Sequence, residues 1–259
     1  MGLYENIQNL IKSTSGNVGA SIKNLKTGET ININENLVFP SASTIKIVIM
    51  AEILRKVKEG FIRLNDNIIL SNFMKTGGSG ILHELNSGHK FTIEELITLM
   101  IIISDNTATN ILIDIADMKN VNNMAVSLGM SHTKLQRKMM DFEAARCGKE
   151  NYTCAADMTH ILELINDGKV INKEYSNMML DILKRQQDLG RLDLYLPENT
   201  IIAHKPGELD FLEHDVGIVY LKNCTYIISV LTNKMKTNLE GRKTIGKISK
   251  MVYDEYIKL

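Results

Sequence analysis

The chain has 259 residues, with 30 basic and 30 acidic side chains and 44% apolar residues. That balance excludes a global field drawing the protein to nucleic acid or anionic lipid. The mix is that of a soluble globular fold with a core large enough to keep water from a site.

The first predicted element is an amphipathic helix over residues 1–14, with Leu3, Ile7, Leu10 and Ile11 on one face. It lacks the basic head and unbroken apolar stretch of a secretory signal. The longest apolar run, residues 99–103, is too short to span a bilayer. No membrane span is therefore expected, and the chain reads as cytoplasmic or as a mature form separated from a leader.

Segments 18–25 and 29–33 flank Lys26-Thr27-Gly28 as a hairpin. From residue 43 to 59, Ile45, Ile47, Val48, Ile49, Met50, Ile53, Leu54 and Val57 cover most of a helix, which predicts its burial. Thr92-Ile93-Glu94-Glu95 is a capping box opening a helix that runs to 103. Further helices are expected over 107–117, 120–128, 153–166 and 173–187. Strands return at 200–204, 216–221 and 225–231, and a last helix covers 241–257.

Strands at both ends with helices between predict an α+β fold. Residues 1–40 and 190–259 would form one antiparallel sheet flanked by the terminal helices, and 41–189 an all-helical lobe, together one catalytic domain.

Three short motifs carry the chemistry. In Ser43-Thr44-Ile45-Lys46 the serine and lysine share a helix face, at an amino end where the dipole stabilises developing negative charge. A buried lysine there loses its proton readily. The same spacing recurs at Ser87/Lys90 and Ser131/Lys134, but neither of those begins a buried helix. Taken alone, Ser43 also fits an ordinary N-cap with Lys46 reaching solvent. Ser104-Asp105-Asn106 lies at the joint of two apolar helices, where all three types also serve as caps. Literal Lys-Thr-Gly at 26–28 and 75–77 reads as turns. Lys205-Pro206-Gly207, after a predicted strand, stands in the right order.

Ser-x-x-Lys, Ser-Asp-Asn and a Lys-x-Gly strand in that order resemble the class A β-lactamases and penicillin-binding serine hydrolases. The stretch 104–110 is similar to the family's helix entry, and 202–207 with 214–218 to its paired site strands. The resemblance implies that Ser43 attacks a carbonyl, that Lys46 removes its proton, and that Ser104, assisted by Lys205, passes a proton to the leaving nitrogen. It implies that Asn106 holds the substrate amide, and that Gly207 lets the amides of Ser43 and Glu208 form the oxyanion site, donors worth about 3 kcal/mol each.

Two departures stand out. Pro206 replaces a hydroxyl residue that bonds the antibiotic's carboxylate, a contact worth about 1.5–3 kcal/mol, and its placement requires an edge strand. Met139 stands two residues past Arg137 of Leu135-Gln136-Arg137, where the family carries the glutamate that activates water. Asp141 or Glu143 are the candidate replacement bases, and Arg137 with Glu150 is expected to close the loop.

The function implied is a β-lactam-hydrolysing serine enzyme with slow or altered deacylation. The alternatives are a related serine peptidase, transpeptidase or esterase, or a β-lactam-binding protein that stops at the acyl-enzyme. The expected partner is a small-molecule β-lactam or peptide-like substrate, with no nucleic acid, no cofactor and no metal, and the chain is expected to act as a monomer. His83, His89, His204 and His214 have no ligand spacing and read as structural or exposed. Cys147, Cys154 and Cys224 read as reduced, buried thiols.

Overall fold

Alternation along β1 (Asn17–Asn24) sends Val18, Ala20 and Ile22 to one face of a sheet. The computed structural model, which describes residues 2–258, pairs β1 with β2 (Thr30–Ile33) through the expected hairpin. On its other side β1 pairs with β9 (Thr225–Asn233). The sheet is completed by β8 (Leu212–Tyr220) and β7 (Ile201–Leu209), in the order β2-β1-β9-β8-β7 with every pair antiparallel. β7 is therefore an edge strand, which tolerates Pro206, paired across to Asp215. The strand runs five residues beyond its expected end at 204, because ladder pairing with β8 carries the chain through Pro206 and Gly207.

Each face of the sheet meets a separate core. One face packs Val18, Ile22, Ile228 and Val230 against Ile7 of α1 (Leu3–Lys12) and Ile245, Ile248 and Val252 of α9 (Asn238–Tyr256). Residues 3–12 fall within the helix expected over 1–14, and Met1 lies outside the described residues. The other face offers Ala203, Val216, Ile218, Ile227 and Leu231 to the helical block.

At the centre of that block is α2 (Lys46–Lys58), whose residues 46 to 54 are all buried. Glu52 is the acid among them, and Arg55 grips both its oxygens at 2.7 and 2.8 Å. Around α2 lie α3 (Ile93–Ile102), α4 (Asn106–Ala116), α5 (Met118–Ser127), α7 (Ala155–Asn166) and α8 (Lys173–Leu183). The capping box forms as read: the Glu95 amide donates to Thr92 Oγ1 at 3.1 Å and the Thr92 amide to Glu95 Oε2 at 2.7 Å.

Periodicity gave no sign of the two-residue strands β3 (Phe39–Pro40) and β6 (Tyr152–Thr153), which pair, or of the three-residue pair β4 (Asn67–Ile69) and β5 (Lys90–Thr92). Nor did it reveal α6 (Phe142–Arg146), a five-residue helix. Cys154 and Cys224 are buried, but Cys147 is exposed, correcting its reading as a buried thiol: it caps α6 on the surface loop. Among the described residues no helix is long and apolar enough to cross a membrane.

Candidate active site

Ser43 sits in a turn of 3-10 helix, Ala42–Ile45, that leads into α2, rather than in α-helix as expected. Ala42 adopts a left-handed φ of 45°, and Thr44 Oγ1 donates to the Ser41 carbonyl at 2.7 Å, which together tighten the turn. Among the described residues the half-buried Ser43 hydroxyl has no hydrogen-bond partner and lines a cleft of about 130 Å³.

Lys46 is fully buried at the first turn of α2. It donates to the carbonyl of Ser104 at 2.8 Å and to Asn106 Oδ1 at 3.1 Å, not to the Ser43 hydroxyl. Burial, with the charge of Lys205 adding to it, holds its pKa well below the lysine range.

Ser104 and Asn106 come from the joint between α3 and α4. Ser104 has φ 55°, and the capping role falls on Asp105 alone, whose Oδ1 accepts the Ala108 amide at 2.8 Å. Its Oδ2 takes the amides of Ile81 and Leu82 at 2.7 and 2.9 Å, tying the preceding loop to the joint. Gly80 is required there: with φ 102°, an added Cβ would lie 2.3 Å from that carboxylate. Of the flanking side chains, Asn106 lines the cleft. Asn106 donates to the Gly77 carbonyl at 3.0 Å while accepting from Lys46.

From the sheet, Lys205 donates to Ser104 Oγ and, at 2.9 Å, to the Pro206 carbonyl. It too is buried, and that desolvation lowers its pKa to about 7. Gly207 brings β7 against the turn, since a Cβ there would meet the Ser43 amide nitrogen at 3.0 Å. Glu208, next in the strand, lines the cleft with Leu209. Ser43, Lys46, Ser104, Asn106, Lys205, Gly207 and Glu208 are thus brought to one place between sheet and helices.

The opposite wall is the loop before β6. Arg137 and Glu150 pair through two bonds of 2.9 and 3.0 Å, as expected. Asn151 accepts the amides of Gln136 and Arg137. Asn110 exchanges two bonds with the backbone of Met139, at 2.8 and 3.1 Å. The sequence reading missed both asparagines, although Asn110 lies one helical turn beyond Asn106 and so shares its face.

The two candidate replacement bases lie at the short helix of this loop. Asp141 is spent as the N-cap of α6, accepting the Ala144 amide at 2.9 Å. Glu143 is exposed on that helix, and neither residue lines the cleft. The loop's short helix turns both outward. Glu150 is the loop carboxylate that does line it, with both oxygens engaged by Arg137 and one also by the Asn151 amide at 2.7 Å.

The histidines beside the site strands are structural. His204 Nδ1 lies 3.0 Å from both oxygens of Asp215, and His214 Nε2 lies 2.7 Å from the Pro40 carbonyl. A larger cavity of about 720 Å³, beside His204 and Gln186, contains none of the site residues. Away from the cleft, His132, Cys154 and Asp157 bring ligand atoms within 4.8 Å of one another. Asp157 Oδ2 there already accepts the His132 amide and the Thr133 hydroxyl, and burial pushes the Cys154 thiol up to about 12.

With this geometry in view, residues 2–256 match the model of the β-lactamase enzyme family. β-Lactamase VEB-1 of Pseudomonas aeruginosa is 26% identical over 269 residues, covering 97% of this chain and 89% of that protein. A crystal structure of a β-lactamase from Sphaerobacter thermophilus superposes with a TM-score of 0.90 at 32% identity, covering 100% of this chain and 98% of that one. A variant of PBP-A, solved as an acyl-enzyme complex with penicillin G, superposes with a TM-score of 0.91 at 27% identity, covering 99% and 97% of the two chains.

Proposed function

The chain belongs to the β-lactamase enzyme family, and from that membership we propose that it hydrolyses β-lactams through an ester on Ser43, with deacylation the slower step. The observation that carries this reading is the buried Lys46–Ser104–Lys205 chain of contacts beside a serine hydroxyl that faces open cleft. A lysine whose pKa burial has lowered can take the Ser43 proton as Oγ adds to the carbonyl. The amides of Ser43 and Glu208 stabilise the resulting oxyanion. As the ring C–N bond breaks, Ser104 gives its proton to the nitrogen and is resupplied by Lys205. Asn106 holds the substrate's amide.

Water must then attack the ester. Met139 offers no proton acceptor, and Glu150 is neutralised by Arg137. Deacylation therefore proceeds without the positioned general base that ordinarily contributes about 10²–10⁴-fold. We read the whole chain as one catalytic domain acting as a monomer, since a single chain supplies every member of the constellation.

Mass spectrometry during incubation with penicillin G tests this. An adduct on Ser43 that outlasts the incubation is expected, and Ser43→Ala should abolish it. Labelling retained on another serine would overturn the assignment. Rapid return to free enzyme would show that another group activates water, whereas no adduct at all would favour a peptidase or esterase.

A further inference from the structure

At one end of the cleft the Glu208 side chain joins a cluster that the reaction does not use. Arg191, in the segment before β7, is fully buried, and each of its three donor groups meets a different carboxylate. Nε donates to Glu213 at 2.6 Å, Nη1 to Asp188 at 2.9 Å and Nη2 to Glu208 at 2.9 Å. Arg242 of α9 donates to Glu213 at 2.9 Å and to Glu208 at 2.6 Å. A pair of guanidiniums reaching toward a cleft-lining position is a natural receptor for a carboxylate. Here three carboxylates face two guanidiniums, so the cluster is net negative.

We propose that Glu208 determines specificity by filling this anion-binding end from within, so that the enzyme takes substrates without regard to a carboxylate beside the scissile amide. Glu208 lines the cleft directly after the glycine packed on the Ser43 amide. Its Oε2 is shared by both guanidiniums. The other group suited to a substrate anion, a hydroxyl at 206, is replaced by Pro206. Lys205 is engaged with Ser104 and the Pro206 carbonyl. An incoming carboxylate would meet a like charge where it would otherwise find donors, so it gains no net attraction there.

Glu208 suits this role because it can be altered without opening the core. Its side chain is 47% exposed, whereas Glu213 and Arg191 are 0% exposed and hold each other. The inference rests on Ser43 being the acylated nucleophile, and its test separates the two claims.

Acylation of the wild-type chain by penicillin G is compared with acylation by the methyl ester of penicillin G, using the mass of the Ser43 adduct against time. Rates within about fivefold are expected, because a charged hydrogen bond to the carboxylate would by itself favour the free acid roughly tenfold or more. A free acid faster by more than that fivefold margin would overturn the inference while leaving Ser43 as nucleophile. Labelling by neither would sink the functional reading and the inference with it. In Glu208→Gln, with thermal unfolding as the folding control, the ratio should shift toward the free acid by about tenfold. An unshifted ratio in the folded variant would show that Glu208 does not set the preference.

Discussion

Met139 is held by its backbone, not by its side chain. Asn110 clamps both its amide and its carbonyl, and Met139 lines the same cleft as Ser43. A carboxylate placed at 139 would inherit that fixed backbone. Met139→Glu should therefore shorten the lifetime of the acyl-enzyme by about tenfold or more, read as loss of the penicillin adduct by mass spectrometry. An unchanged lifetime would mean that water access, not the missing base, limits deacylation. Lys46 shows the complementary lesson. Its position beside Ser43 follows from helical spacing, but the groups it bonds, the Ser104 carbonyl and Asn106, lie 58 and 60 residues away along the chain.

At the scale of elements, the loop carrying Met139 depends on few ties. The Arg137–Glu150 pair is largely buried, with side chains 9% and 20% exposed, and Asn151 reinforces it through both backbone groups of Arg137. Arg137→Ala leaves Glu150 partnered only by the Asn151 amide and should cost about 2 kcal/mol. Hydrogen exchange across residues 138–150 should quicken while the amides of β8 and β9 stay protected. Uniform loss of protection would show that the loop is integral to global folding. This pairing was legible because an arginine and a glutamate of opposite charge bracket the loop to which the family resemblance pointed. The outward turn of Asp141 and Glu143 was not, because it depends on α6, too short to show a helical period.

For the whole molecule, two lysines buried beside each other impose a pH dependence. Burial lowers the pKa of Lys205 from 10.5 to about 7, and Lys46 shifts in the same direction. Between those two values the unfolded chain binds more protons than the folded one, so this contribution to stability rises with pH. The penalty is fully present below the folded value and fades as pH approaches the unfolded one. The melting temperature of Lys205→Met should therefore exceed that of the wild type most below a pH of about 7 and converge with it toward pH of about 10. Titrations remote from the site, such as that of buried Cys154, act equally in both proteins and cancel in the comparison. Lys46, relieved of the Lys205 charge, moves back toward the lysine range in the variant and adds to the same difference. A difference independent of pH would show that Lys205 titrates normally.

The sequence by itself determined the α+β arrangement, the hairpin, the buried helix after Ser43 and the order of the three motifs. These follow from local periodicity, turn chemistry and capping, which act over a few residues. Only the tertiary structure decided what those motifs touch. It turned Lys46 toward Ser104, sent Asp141 to a helix cap, and closed Glu208 onto two arginines from segments on either side of it in the chain. Apart from the Asp141 cap, these contacts join residues 17 to 58 positions apart, and their energies depend on burial and on which partners arrive together. No spacing along the chain encodes that.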